Sequence, residues 1–335
     1  MVPAVTTLAA VAKHAGVGIG TASRVINDQP NVSPEMRRRV LESMEAVGYS
    51  PARKRRPDPS VRAAYIGVLT VFFDEPSVYE RMKGIVSHLQ PQGYEVVIYN
   101  AVAPHQIRQH IEHAVSHKLD GLIVMSAVLD DEEARMLRNA PFPVVLVDTK
   151  CEGFRSVGID DRLGGELATR HLIDMGHRRI GFVGEPGGQF QFVAASLREQ
   201  GYHDAHVAAG LTVDPLLIRH GAHLRSAARQ LTLDLLSLED RVTAIVATSD
   251  VQALGVLDAA RQMGVGVPDD LSVVGYDDLE IAGLMGITTV RQQLEHSGIR
   301  GASLILEAIS GSASIGVQEE LQLDVIVRNT TRPPR

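Results

Sequence analysis

Residues 7–27 read TLAAVAKHAGVGIGTASRVIN, and this stretch decides how the rest of the chain is read. Leu8, Val11 and Ala12 recur at helical spacing, with Ala15 close behind. Thr7 precedes them as an N-cap, and Gly16 follows them where a helix ends in a left-handed residue. A second short helix then runs from about Gly18 to Asn27, with Ala22, Val25 and Ile26 facing inward. The small residues Ala10, Ala15 and Gly16 let the two axes approach closely. The pair reads either as an ordinary helical hairpin or as a helix-turn-helix, whose second helix enters a DNA major groove. The ordered turn chemistry favours the second reading.

Working outward, Ser33 (N-cap), Pro34 (first turn) and Glu35 open a third helix that runs to Val47 and stops at Gly48. Its apolar face is Val40, Met44 and Val47, and Arg37, Arg38 and Arg39 lie early in it. Residues 1–50 therefore form a small all-α unit. Residues 51–62, PARKRRPDPSVR, are polar, contain three prolines and carry four consecutive cations, which is linker chemistry. The chain's net charge of −7 argues against nucleic acid, but its distribution reverses that. Residues 1–60 hold nine Lys/Arg against five Asp/Glu, a net of +4 that leaves −11 on the remainder. A basic head on an acidic body suits phosphate contact at one end only.

From Tyr65 the texture changes to apolar strands separated by amphipathic helices. Strands are expected at 65–71, 94–99, 119–125, 143–148, 179–183, 243–248 and 271–275. Helices are expected at 77–91, 104–117, 130–139, 161–176, 190–209, 224–238, 250–264 and 292–310. Near-continuous apolar strands alternating with helices mean parallel sheets covered on both faces, and there are too many units for one small sheet. The expected fold is thus a small all-α helix-turn-helix head followed by α/β, two doubly wound parallel-sheet lobes. Such lobes bind ligands outside the carboxyl ends of their strands. The single cysteine, Cys151, excludes an internal disulfide and fits a reducing compartment. The start of the chain has no charged-then-apolar signal, and no run is long enough to cross a bilayer, so a cytoplasmic protein without membrane contact is expected.

The head, together with NVSPEMRRRVLESMEAVGYSP at 31–51, resembles the DNA-binding domain of the LacI/GalR transcriptional repressors. The resemblance continues through GLIV at 121–124, VVLVD at 144–148, DDRLGG at 160–165, GHRRIGFVG at 176–184, R-x-x-G-Y at 198–202, LSVVGYDD at 271–278 and TTVRQ at 288–292. It covers nearly the whole chain in one order. It implies a regulator with a type I periplasmic-binding-protein-like effector domain at 63–332, through which the chain crosses between lobes three times. The N-lobe is placed at 63–160 plus 291–321 and the C-lobe at 161–290 plus 322–332. One head per chain implies at least a homodimer reading two half-sites of a double-stranded operator. A tetramer stays open, although no leucine-heptad tail follows Arg332.

Carried over residue by residue, the resemblance places base readers at Ile19, Gly20 and Arg24. Arg24 can fork onto a guanine, Ile19 offers only apolar contact and Gly20 no side chain, while Gly18 stands where the family usually has a serine. Thr7, Thr21, Ser23, Asn27 and Ser33 match phosphate-contacting positions, which fix register without reading sequence. Helix surface is the plain alternative for Thr21 and Ser23. The hinge departs from the family. Counted from Tyr49-Ser50-Pro51, the usual minor-groove leucine is Asp58, flanked by Pro57 and Pro59. Proline disfavours a helix there, and a carboxylate among phosphates is repelled. The leucine wedge is therefore expected to be absent or relocated. Arg53, Lys54, Arg55 and Arg56 either follow phosphates into a narrow minor groove or form a basic linker of nonspecific attraction.

In the sugar-binding members, carboxylates and an arginine bracket hydroxyl groups. Those positions are here Asp148, Arg198, Asp277 and Gln292, a set of acceptors and donors that suits a polyol. Ser249, beside Asp250, stands where many relatives have asparagine. Val71, Phe73, Tyr79, Phe190, His223 and Leu294 are candidate walls, and Val71 replaces a polar family position. A small-molecule effector, a sugar or sugar derivative, is expected, with a purine as the competing class. Turn and capping chemistry is the alternative role for Asp277 and Asp278.

Other constellations carry little. His105, His110, His113 and His117 share one helix but have no acidic or cysteine partner, so a solvated face is expected and no metal. GEPGGQ at 184–189 lacks the lysine and hydroxyl of a phosphate loop. No nucleophile elbow or catalytic pairing is present, so neither an enzyme nor a cofactor is expected. A stand-alone carbohydrate-binding protein with an idle head is the remaining alternative.

Overall fold

The computed structural model describes residues 8–26, 32–47, 64–186, 193–311 and 317–335, and the chain divides into two units, 1–61 and 62–335. Thr7, Asn27, Arg53, Lys54, Arg55, Arg56 and Phe190, the Pro57–Asp58–Pro59 segment and the Ser23 side chain lie outside the described residues.

In the first unit α1 (Leu8–Ala15), α2 (Ile19–Ile26) and α3 (Pro34–Ala46) enclose a core of Val11, Ala12, Ala15, Ala22, Val25 and Val40. Gly16 turns the chain at φ +63, which glycine adopts without strain. The turn is tied to α3 by Arg39, whose Nη2 donates to the Ala15 carbonyl at 2.7 Å. Ser33 caps α3, its Oγ accepting from the Met36 N–H at 3.3 Å, and Pro34 follows at the first helical position, where no N–H is needed.

In the second unit the first sheet has the order β11-β5-β4-β3-β1-β2, formed by β1 (Ala64–Val71), β2 (Tyr94–Ala101), β3 (Gly121–Met125), β4 (Val144–Val147), β5 (Arg155–Gly158) and β11 (Gln318–Glu320). The second has the order β12-β10-β9-β8-β6-β7, formed by β6 (Ile180–Gly184), β7 (Ile218–His220), β8 (Ala244–Ala247), β9 (Ser272–Asp277), β10 (Thr288–Arg291) and β12 (Asp324–Ile326). All neighbours run parallel except β12, which is antiparallel to β10. The chain passes between sheets after β5, after β10 and after β11.

The strands bury both faces because their side chains alternate between two cores. Leu69, Val71, Leu122 and Val124 join one cluster, and Ile66, Val68, Ile123 and Val145 join the other. Helices α4 (Pro76–Leu89), α5 (Pro104–Ser116), α6 (Asp131–Arg138) and α12 (Leu294–Ile309) cover the first sheet. Helices α7 (Asp161–Asp174), α8 (Val193–Ala208), α9 (Arg225–Leu236) and α10 (Asp250–Met263), with the short α11 (Glu280–Met285), belong to the second.

At two helix crossings beside the cleft the backbones are closer than any side chain permits. A Cβ on Gly298 of α12 would lie 2.0 Å from the Arg81 carbonyl of α4, and one on Gly201 of α8 would lie 1.9 Å from the Arg162 carbonyl of α7. These approaches hold Arg81 and Arg198 against the space between the lobes.

Candidate functional site

The non-glycine residues with left-handed φ among the described ones all stand where a strand ends. Phe72 follows β1, Ser126 follows β3, Asp148 follows β4, Asp277 and Asp278 close β9, and Gln293 follows β10. Such conformations cost on the order of 1–3 kcal/mol each, so surrounding contacts must hold them. Phe72, Ser126, Asp148 and Asp277 line a cavity of about 370 Å³ between the two sheets, and Asp278 and Gln293 line a neighbouring depression.

On the first lobe Arg81, only 3% exposed, comes from α4. Its Nη2 donates to Asp148 Oδ1 at 2.7 Å and to Gln292 Oε1 at 2.7 Å. The Ser126 hydroxyl donates to the other Asp148 oxygen at 2.8 Å. Gln292 passes the chain on, its Nε2 donating to Asp277 Oδ1. One hydrogen-bonded line thus runs from Ser126 in the first lobe to Asp277 in the second.

On the second lobe Arg198 Nε donates to Asp161 Oδ1 at 2.8 Å, and its Nη1 donates to the Thr248 carbonyl at 2.7 Å. Its guanidinium lies 3.7 Å from the centroid of the Tyr276 ring, which adds a cation–π contact. Below Asp277 sits Asp250, fully buried at the start of α10. Its oxygens accept from the Leu279 N–H at 2.8 Å and the Thr289 hydroxyl at 2.7 Å. Asp278 is held from outside by Arg291 and Arg328. Together these contacts pin the Asp277–Asp278 turn.

At the mouth His223 bridges the lobes. Its Nδ1 is hydrogen-bonded to Glu185 Oε1, and its Nε2 lies 3.3 Å from Glu75 Oε2, at the cap position of α4. The Thr248 hydroxyl donates to the second Glu185 oxygen at 2.9 Å.

Burial pushes the Asp277 carboxyl up to about 6, against the lowering effect of Arg198, His223 and Arg81. Burial and the Asp277 charge push Asp250 up to about 8, and burial raises Asp161 despite Arg198. For His223, burial acts downward, but the Glu185 hydrogen bond and the charges of Glu185, Glu75 and Asp277 outweigh it and raise the imidazole.

Of the expected effector residues, Val71, Asp148, Arg198, His223, Asp277 and Gln292 line this cavity. Four others do not. Phe73 is turned into the first lobe's core. Tyr79 is exposed, because the inward face of α4 is Val78, Arg81, Met82 and Ile85, and Tyr79 lies about 100° round from Val78. Ser249 is buried as the cap of α10, its Oγ accepting from the Gln252 N–H at 3.2 Å. Leu294 starts α12 and lines a separate depression that shares only Asp277 with the cleft.

Sequence reading missed Arg81, Asp161, Glu185 and Glu75. Asp161 stood inside the quoted DDRLGG stretch and Glu185 inside GEPGGQ, so their segments were visible and their roles were not. Arg81 and Glu75 carry no local signal. His110 Nε2 of α5 is hydrogen-bonded to the Asn100 carbonyl, and Nδ1 of His117, just past the end of α5, to the His113 carbonyl. Among the described residues no His/Cys/Asp/Glu group is placed to hold a metal, and no helix is long and apolar enough to cross a membrane.

In the head Ile19 is 56% exposed at the tip of α2, and Cβ atoms added to Gly18 or Gly20 would meet nothing. Thr21 is half-buried and its N–H donates to the Gly18 carbonyl at 2.9 Å. Arg24 is exposed, with Nε donating back to the Gly20 carbonyl at 3.2 Å. Ser33 is exposed and occupied in capping α3.

Known proteins resemble this chain in sequence and fold. The model of bacterial regulatory proteins of the lacI family matches residues 7–52, and that of the periplasmic binding protein-like domain matches residues 169–331. The HTH-type transcriptional repressor PurR of Haemophilus influenzae (strain PittEE) is 30% identical over 325 residues, covering 95% of each chain. Among solved structures, the transcriptional regulator CelR in complex with cellobiose is 32% identical with a TM-score of 0.71, covering 97% of this chain and 99% of its own. The lac repressor dimer bound to operator and the anti-inducer ONPF is 26% identical with a TM-score of 0.71, covering 98% and 99%.

Proposed function

As the chain belongs to the LacI family of DNA-binding transcriptional repressors, we propose that it is a repressor whose two heads, one from each protomer of a homodimer, hold two operator half-sites and whose affinity for DNA is set by a sugar or sugar derivative in the cleft between its lobes. The observation that carries the effector reading is the cavity itself. Its walls alternate carboxylates with the donors Arg81, Arg198 and Gln292 at hydrogen-bond distance, around a volume suited to a small polyol. A solved relative at 32% identity is a cellobiose complex, which supports the same class. Lobe closure around the sugar would shift the balance between the conformations that do and do not fit DNA.

On the DNA side Arg24, in the last turn of α2, is the side chain able to fork onto a base edge. Ile19 adds apolar contact, and Gly18 and Gly20 add no side chain. Operator choice then rests on Arg24, on DNA shape and on the Arg53–Arg56 arm.

Gel shifts on the chain's own upstream DNA, with and without each member of a panel of mono- and disaccharides, sugar phosphates and purines, test the reading. A retarded band that one saccharide alters supports it. A purine as the compound that alters the band overturns the effector class, and absence of any specific band overturns the regulator. For the arm, footprints of Arg55→Ala/Arg56→Ala with unchanged operator preference and unchanged salt slope would remove its role.

A further inference from the structure

The charges of the cleft are paired before any ligand enters. Its lining carries six carboxylates, Glu75, Asp148, Asp160, Asp161, Glu185 and Asp277, against four cations, Arg81, Lys150, Arg198 and His223. The buried cations are committed. Arg81 holds Asp148, Arg198 holds Asp161, and His223 lies between Glu185 and Glu75. Lys150, at the rim, is paired with Glu320 at 3.0 Å. Helices α4 and α7 begin on carboxylates, Glu75 and Asp160 with Asp161, where backbone N–H groups would otherwise attract an anion. A phosphate or carboxylate entering here would meet a net negative wall, and apart from Lys150 at the rim it would have to break a buried ion pair to find a cation.

Among the described residues that line the cleft, one buried donor is left over. Arg81 Nε is buried and has no hydrogen-bond partner, although the Nη groups of the same guanidinium are engaged by Ser77, Asp148 and Gln292. A buried donor without a partner is costly, and Asp148 already neutralises the charge of the group. What Arg81 can still accept is therefore an uncharged oxygen or nitrogen acceptor.

We propose that Arg81 is the specificity-determining residue of the cleft. Its Nε–H donates to a neutral acceptor atom of the effector, and its closed pair with Asp148, together with the Arg198–Asp161 pair, excludes phosphorylated and carboxylated ligands. The inference rests on the cleft being the effector site and deepens that reading by fixing the charge of the effector.

The test has one arm that needs no effector. Thermal unfolding of the full chain is followed against inorganic phosphate at millimolar concentration and constant ionic strength. The wild type is expected to give no saturable shift. Asp148→Asn and Asp161→Asn, each of which releases one buried guanidinium, are expected to gain one. A saturable wild-type shift that Arg81→Met or Arg198→Met abolishes overturns the exclusion, and so does the absence of a gain in both folded Asn variants.

The second arm pairs D-glucose, D-ribose, cellobiose and inosine with glucose 6-phosphate, ribose 5-phosphate, cellobiose 6-phosphate and inosine 5′-monophosphate. The uncharged member is expected to stabilise and its phosphate ester not to. Arg81→Lys keeps the charge opposite Asp148 but lacks the second donor, so it is expected to bind the stabilising compound at least about tenfold more weakly at unchanged melting temperature. Equal affinity of Arg81→Lys, or preference for a phosphate ester, overturns the proposal. If none of the uncharged compounds stabilises, the sugar reading fails, and the phosphate arm still decides this one.

Discussion

Glu75 and His223 meet across the cleft, Oε2 to Nε2 at 3.3 Å, one from each lobe. Both are mostly buried, and Glu185 holds the other imidazole nitrogen. An imidazole whose value is raised in the folded state contributes stability that is complete below its ordinary value near 6.5 and is lost as pH climbs through the raised one. The closed lobes should therefore loosen on the alkaline side. In a Cys151→Ser background, spin labels on the exposed positions Tyr79 and Val207 report the distance between lobes. The distance distribution is expected to lengthen or broaden as pH rises from slightly acidic to alkaline. His223→Gln should show no such titration, and an identical titration in wild type and His223→Gln would refute the latch.

Asp250 titrates in the opposite sense to an ordinary surface carboxylate. Its folded value of about 8 lies above the usual 3.8 because burial and Asp277 disfavour the charge. The native state therefore binds a proton that the unfolded state has released, and stability falls as pH rises between those values, at up to about 1.4 kcal/mol per pH unit. Asp250→Asn keeps an acceptor for Leu279 N–H and resembles the protonated carboxyl. Urea midpoints at pH 5, 6.5 and 8 should decline in the wild type and decline less in the variant. Parallel slopes would show that Asp250 is not the group responsible.

The close crossings of α4 with α12 and of α7 with α8 allow no methyl group. Gly298→Ala and Gly201→Ala each drive a Cβ into backbone, not into a side-chain tip that can swing away. Losses of at least about 3 kcal/mol in denaturant unfolding are expected, at the upper end of overpacking costs. Gly283→Ala, whose Cβ would meet nothing, is the control and should change stability little.

The head should respond in the reverse way. Gly20 lies inside α2 in open space, so Gly20→Ala is expected to stabilise the first unit by roughly 0.5–1 kcal/mol, the usual helix gain. Arg39→Ala removes the donor to the Ala15 carbonyl and should cost about 1 kcal/mol. Hydrogen exchange of α1 amides in the full chain reads both changes, and protection that moves the other way in either variant would overturn the assignment.

What the sequence made legible depends on how local the cause is. Long apolar strands such as 64–71 and amphipathic helices such as 104–116 are set by their own periodicity, and they appear near the expected limits. Strands β5, β7, β11 and β12 have only three or four residues and contain Arg155, His220, Gln318 or Asp324. Their pairing with distant strands, not their composition, makes them extended, so nothing in their own residues announces them. The same holds in the cleft. Asp148 and Asp277 end apolar runs and could be read from position alone. Arg81 is one cation on a helix whose turn toward the cleft depends on the approach of Gly298, more than 200 residues later.

The three passages between the sheets carry a consequence for how such a chain can change over generations. Neither lobe is one uninterrupted stretch of coding sequence: β11 and β12 close the two sheets from the far end of the chain. A single recombination event cannot exchange one lobe for another without severing strands from both, so the cleft is inherited whole and retuned by point substitution. The first unit, by contrast, is continuous from residue 1 to 61 and can be exchanged as a cassette. Operator preference and effector preference in this architecture are thus open to different genetic moves, the one by shuffling, the other only by gradual replacement of residues such as Arg81.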